Sequence, residues 1–165
     1  MDANLSADAT AHHANVPHEH VNLRREWFSI LCLASESELQ AAWERYGGDQ
    51  PWRYLRAPEI VLVMVSARAG GDGQTFHVGE APAVRCVVEL GIAPVLGYAC
   101  VVGRSIRKAV LIALLDARLQ QLVASGQDCQ PVLAPMRLRQ RKQDEAVVAE
   151  AASTKVDFFT MVRGE

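Results

Sequence analysis

"PWRYLRAPEIVLVMVSARAGGDGQTFHVGEAPAVRCVVEL", residues 51–90, decides the fold of this chain. β-Branched and aromatic residues crowd it and Pro and Gly punctuate it, a composition that suits strands. Divided at those breaks, it predicts strands at 51–56, 59–68, 74–78 and 82–90. "AGGDGQ" (69–74) reads as a hairpin loop, because glycine tolerates the positive φ of tight turns. Only "GEA" (79–81) parts the third strand from the fourth, and "PVLGYACVVG" (94–103) supplies one more. Short connections favour antiparallel pairing, since parallel strands need a long crossover. A mainly antiparallel sheet of about four to five strands follows.

Helical patterns flank the sheet. "VNLRREWFSILCLA" (21–34) places Leu23, Trp27, Ile30, Leu31 and Ala34 at helical spacing. In "SESELQAAWERYGG" (35–48), Ser35 and Glu38 make a capping box, and Gly47 and Gly48 offer the left-handed conformation that ends helices. From Arg104 to about Ala124 runs a long helix with two apolar stripes. Ile106, Val110, Ala113, Leu114 and Ala117 make one; Leu111, Ile112, Leu115, Leu119 and Leu122 make the other. Arg107 and Arg118 divide them on one side, Asp116 and Gln120 on the other. A surface helix needs a single stripe. Here the sheet covers one, and either the chain's own N-terminal helices or another protein covers the second.

After breaks at Pro131 and Pro135, "MRLRQRKQDEAVVAEAASTK" (136–155) reads as a charged, then Ala-rich helix, solvated or reaching to a partner. It leads into Val156, Phe158, Phe159, Met161 and Val162, an apolar cluster where terminal residues are usually polar. These five are the candidate partner-binding residues. The fold class is therefore α+β, with a C-terminal helix and an extended tail. Residues 1–20 form an expected disordered tail, and 21–165 a single domain. His12, His13, His18 and His20 read as incidental to that tail rather than as a metal site.

The chain has 165 residues, half of them hydrophobic and 22% charged, which is ordinary globular composition. A net charge of −2 gives no basic footprint for nucleic acid. "IVLVMV" (60–65) and "AVLIALL" (109–115) are core-sized, far short of the roughly 20 apolar residues of a membrane span. "MDANLSADAT" lacks the basic and apolar regions of a secretory signal. Cys32, Cys86, Cys100 and Cys129 are scattered without ligand spacing, so a reducing, cytoplasmic setting is expected.

No residue pattern marks a catalytic set. "RAGGDGQ" lacks the Gly-Lys-Ser/Thr ending of a phosphate loop and lies between strands. His77 lies on a strand with no neighbouring nucleophile. Arg68, Arg85 and Arg104 are the candidate phosphate or phosphonate contacts. A guanidinium there either clamps an anion or pairs with Glu59, Glu80 or Glu89. By pattern alone the chain is an α+β domain with surplus apolar surface, and a homo-oligomeric ligand-binding module is one reading of it.

"ARAGGDGQTFHVGEAPAVRCVVEL" (67–90), "LGYACVVGR" (96–104), "ALLDARLQ" (113–120) and "VDFFTMVRGE" (156–165) together carry a resemblance. The chain resembles the PhnG family, the G subunit of the bacterial carbon–phosphorus lyase system, from about residue 25 onward. The long helix's start departs from the family pattern: Ser105, Lys108 and Val110 stand where acidic and His-containing sequence is expected. The resemblance implies assembly with sibling H, I and J subunits. With H, I and L it implies making α-D-ribose 1-methylphosphonate 5-triphosphate from ATP and methylphosphonate, with release of adenine. It implies no cofactor of the chain's own, ATP being a substrate of the assembled complex. Iron–sulfur radical chemistry is attributed to the J subunit.

Overall fold

The structure, a computed structural model, describes residues 18–69 and 73–153, with side chains from Val21 onward. Seven elements follow in order: α1 (His18–Leu33), α2 (Glu36–Tyr46), β1 (Trp52–Arg68), β2 (Thr75–Leu90), β3 (Val95–Val102), α3 (Ile106–Ala124) and α4 (Gln130–Ser153). The strands form one antiparallel sheet in the order β1-β2-β3. The expected tail over residues 1–20, apart from His18–His20 at the start of α1, and the cluster Val156–Val162 lie outside the described residues.

The sheet has three long strands where about four to five shorter ones were expected. Pro58 does not break β1, because β1 is an edge strand and the register slips between Arg56 and Glu59, so no ladder donor is missed. The "GEA" stretch is no turn either. Val65 pairs with Gly79 and Ser66 with His77, leaving Val78 as a bulge, and Gly79 takes φ +155°. Pro82 continues β2 because its carbonyl faces β3, where it accepts from Gly103 N at 2.8 Å. The amide it lacks would point to that same side, past the last β2–β3 pair at Ala83 and Val102.

The helices follow local signals more closely. Ser35 caps α2 with both halves of the box formed, although Gly48, at φ +73°, takes the left-handed turn and Gly47 stays helical. Pro131 and Pro135 do not break α4. Pro131 sits in the first turn, where an amide would be unpaired anyway. Pro135 sacrifices one bond while Val132, Leu133 and Met136 bury the same stretch.

α3 packs across the sheet face made by Val84, Cys86 and Val88 of β2 and Ala99 and Val101 of β3. α1 and α2 pack on α3, and α4 on α1 and α2. The second stripe of α3 is thus covered from within: Leu111, Ile112, Leu115, Leu119 and Leu122 are all buried beside Leu31 and Leu39. That helix needs no outside partner.

Glu38 joins two elements. Its carboxylate accepts from Ser35 N and from Arg139 Nε of α4, at 2.8 and 2.6 Å. Burial works against its charge, but these bonds outweigh it and hold the carboxyl below its ordinary range. An unfolded glutamate titrates near about pH 4.3, so the unfolded chain takes up this proton first on acidification. The stability Glu38 contributes is present above that range and is lost as pH falls through the folded value. Glu38→Gln should therefore destabilise at pH 7 and flatten the fall of Tm on the acid side. Thermal melts of both chains across the acid range check this.

Candidate functional site

The three candidate arginines are not brought together. Arg85, in the middle of β2, donates Nε to Glu59 Oε1 at 2.7 Å, and Glu59 also receives Arg56. This is the cross-strand pairing weighed against an anion role. Arg68 ends β1 nine residues beyond Glu59, roughly 30 Å along the strand. Arg104 follows β3, one residue after Gly103, whose amide donates to the Pro82 carbonyl. Among the described residues neither Arg68 nor Arg104 has an ion-pair partner, so each guanidinium is available to an anion brought by another molecule.

A buried acid that sequence patterns placed on a polar seam organises the opposite edge. Asp116 of α3 is 0% exposed. Its carboxylate accepts from Arg24 Nε and Nη2 at 3.0 and 2.6 Å, from Trp27 Nε1 at 3.0 Å and from the Tyr98 backbone N at 2.9 Å. Gln120 Nε2 adds a bond to Asp116 and donates to Leu96 O at 2.8 Å. Tyr98 N and Leu96 O point to the free edge of β3, so α3 satisfies an edge that would otherwise invite another strand. The signal was present: one acid inside "AVLIALLDARL" (109–119), and Arg24 and Trp27 three residues apart on α1.

Beside this network lies a cleft of about 790 Å³ between the start of α1, β3 and the end of α3. Val21, Phe28, Val95 and Val123 give it apolar walls, and Arg24 and Arg25 stand at its rim. Arg24 is held by Asp116 and lies 5.6 Å from the Phe28 ring centroid. The lining offers no nucleophile paired with a base, so the cleft is suited to holding a group and not to transforming one.

The thiols are no better placed for chemistry. Burial pushes Cys86 up to about 11, and it raises Cys32 and Cys129 as well, so none of these three is poised as a thiolate at neutral pH. Among the described residues no group of three His, Cys, Asp or Glu could hold a metal ion, and no helix is long and apolar enough to cross a membrane.

What stands out is uncovered apolar surface. β3 ends at Val102, opposite Ala83, while β1 and β2 run on as a two-stranded arm. Ile60, Leu62 and Met64 alternate along one face of β1, and Leu62 is 65% exposed. Phe76 and Val78 are exposed on β2. "IVLVMV" (60–65), a core-sized run, thus lies outside the core. In α4 every residue from Arg141 to Ser153 is exposed, Val147 and Val148 included.

Two comparisons bear on these features. The family described as phosphonate metabolism protein PhnG matches the chain over residues 22–164. A protein of Rhizobium meliloti (strain 1021), alpha-D-ribose 1-methylphosphonate 5-triphosphate synthase subunit PhnG, is 37% identical over 142 residues. That alignment covers 86% of this chain and 90% of the relative.

Proposed function

The chain belongs to the PhnG family of phosphonate-metabolism proteins, and from that premise we propose that it is a subunit of α-D-ribose 1-methylphosphonate 5-triphosphate synthase in the carbon–phosphorus lyase system. The observation that carries this is the 37% identity to a named synthase subunit over nearly its full length. The assembled enzyme joins methylphosphonate to the ribose of ATP. A phosphonate oxygen attacks the anomeric carbon, the bond to the adenine nitrogen breaks, and adenine leaves with that electron pair and takes up a proton. The chain works in the cytoplasm with sibling H, I, J and L subunits, needs no cofactor of its own, and meets ATP as a substrate of the complex. The lining of the cleft contains no paired nucleophile and base, and Ser66 Oγ with His77 Nδ1, 3.0 Å apart, stands exposed on the β1–β2 arm outside that cleft, which supports a chain that organises a partner's chemistry.

Val156, Phe158, Phe159, Met161 and Val162 are the proposed partner-binding residues. Each phenylalanine carries about 150–250 Å² of mostly apolar surface, enough to decide whether a tail docks. Deleting 156–165 from the chain co-expressed with its siblings should abolish co-purification while circular dichroism and Tm stay as in the intact chain. Assembly that survives the deletion would remove this role from the tail.

The absence of ion-pair partners for Arg68 and Arg104 among the described residues favours a second role, contact with the triphosphate or phosphonate at a subunit junction. Arg68→Ala and Arg104→Ala in the assembled enzyme should lower the rate of adenine release with assembly unchanged. Unaltered kinetics in both would end that role.

A further inference from the structure

Two of the uncovered surfaces, the β1–β2 arm and the distal half of α4, lie at one end of the molecule. α1 leads from Asp116, contacted by Arg24, to Ser35, and the next residue, Glu36, accepts a hydrogen bond from Ser105, the N-cap of α3. α1 therefore runs back along α3 toward the end where α3 begins. α4 runs the same way as α1: Arg137 reaches Glu26, Gln140 reaches the Ile30 carbonyl, and Arg139 reaches the Leu33 carbonyl. The exposed half of α4 thus leaves the body beside the N-terminus of α3. The β1–β2 arm leaves there too, since β3 ends at Val102 and turns into Ser105.

The two projections match in length. Leu62–Arg68 extends seven residues past the level of Ala83, about 23 Å as strand. Arg141–Ser153 extends about 20 Å as helix. α3, and then α1 with α2, separate the sheet from α4. At about 8–10 Å per packed helix layer the projections stand roughly 20–30 Å apart. That leaves room for at least one helix, about 10–12 Å across.

Resting on the subunit reading above, we propose that the arm and the distal half of α4 are the two prongs of a clamp that takes up an apolar element of a sibling subunit. Size is the first argument. Ile60, Leu62 and Met64, paired with Val84, Pro82 and Glu80 on the face that α3 covers farther along, are each more than half exposed, and with Val147 and Val148 they present roughly 400 Å² of apolar surface. An ordinary stable interface takes about 800 Å² from each partner. Geometry is the second argument. A second copy pairing along the free edge of β1 would satisfy backbone groups but cover neither face of the arm. Stacking two arms would cover the face of Leu62 and Met64 and leave Val147 and Val148 of α4 uncovered. An element seated between the prongs reaches the arm and α4 together.

Hydrogen exchange of the full chain, alone and in complex with its co-expressed siblings, tests this. In the complex, amides within 60–68, 76–82 and 141–153 should exchange at least about tenfold more slowly than in the chain alone. Leu62→Asp with Met64→Asp, and separately Val147→Asp with Val148→Asp, should each cut the recovered sibling about tenfold or more without lowering the Tm of the chain alone. A complex that forms with these amides unprotected, or with both variants assembling normally, overturns the clamp and leaves the subunit reading standing. Protection of the arm in a homodimer would assign it to a second copy. Faster arm exchange after removal of 154–165 from the isolated chain would assign it to the chain's own tail. Either result overturns the proposal, and failure of the intact chain to bind any sibling overturns the subunit reading with it.

Discussion

Gly97→Ala is expected to cost about 3 kcal/mol or more of folding stability, the upper end of what overpacking does to a core. A Cβ built at Gly97 stands 1.9 Å from the Ala113 carbonyl oxygen and 2.9 Å from the Ala117 Cβ. The nearest obstruction is helix backbone, which has no rotamer to change, so α3 must ride up off β3 by more than an ångström. That movement opens a face where Ala99, Val101, Ala113 and Ala117 are all buried. For a chain of this size each kcal/mol lowers Tm by about 2–4 °C, so a drop of about 6–12 °C should be seen. Ala113→Gly in the same chain should not restore stability, because the clash is with a carbonyl. Urea unfolding of the two variants checks both statements. A loss below about 1 kcal/mol for Gly97→Ala would mean that α3 is free to shift without cost, contrary to interior packing.

Features set by adjacent residues were legible in the sequence. Ser35 and Glu38 stand three apart, and their capping box forms as expected. The extent of α3 and its two stripes were equally readable, because periodicity is a local property. Coverage of the second stripe was left open, since it depends on residues such as Leu31 and Leu39, about 70–90 positions away, folding back over α3. Strand continuity failed for a related reason. Pro58 and "GEA" are breaks by local chemistry, but whether a break ends a strand depends on its partner at that register, and an edge position or a bulge absorbs it. The run "IVLVMV" was read as core-sized, which is true of its composition. Its exposure follows from β3 stopping at Val102, a fact about another segment.

The candidate site divides along the same line. The arginines were found as residue types, but only the register of β1 on β2 assigns Arg85 to Glu59 and separates Arg68 from it. The cluster Val156–Val162, proposed to bind a partner, lies outside the described residues, and that proposal rests on sequence. The arm and the end of α4 were not foreseen as one surface. They leave the body at the same end only because α1 runs back along α3 and α4 follows α1.

Asp116→Ala should be the most damaging polar substitution in the chain, at about 3–5 kcal/mol, the cost of breaking a buried charge pair by removing one member. The loss has two parts. Arg24, whose side chain is 38% exposed, swings toward water and recovers part of its solvation. Trp27 Nε1 and the Tyr98 amide cannot, and a buried donor left unpaired costs about 1–3 kcal/mol. Arg24→Met should accordingly cost less, since Trp27, Tyr98 and Gln120 still donate to the carboxylate. The double variant should fall short of the sum of the singles by about 1 kcal/mol or more, as expected for groups sharing one network. Amide exchange separates this from a general loss of packing. In Asp116→Ala the Tyr98 amide should open before its neighbours on β2, because Asp116 alone satisfies it at the free edge of β3. The consequence reaches the far end of the molecule. This carboxylate pins α1 to α3, α4 is aligned on α1, and the direction in which α4 leaves the body follows from that alignment. Asp116→Ala should therefore weaken recovery of sibling subunits even where the chain stays folded, although Asp116 is buried and touches no partner. Full stability and full assembly in that variant would show that packing alone orients α1, with the ion pair incidental to it.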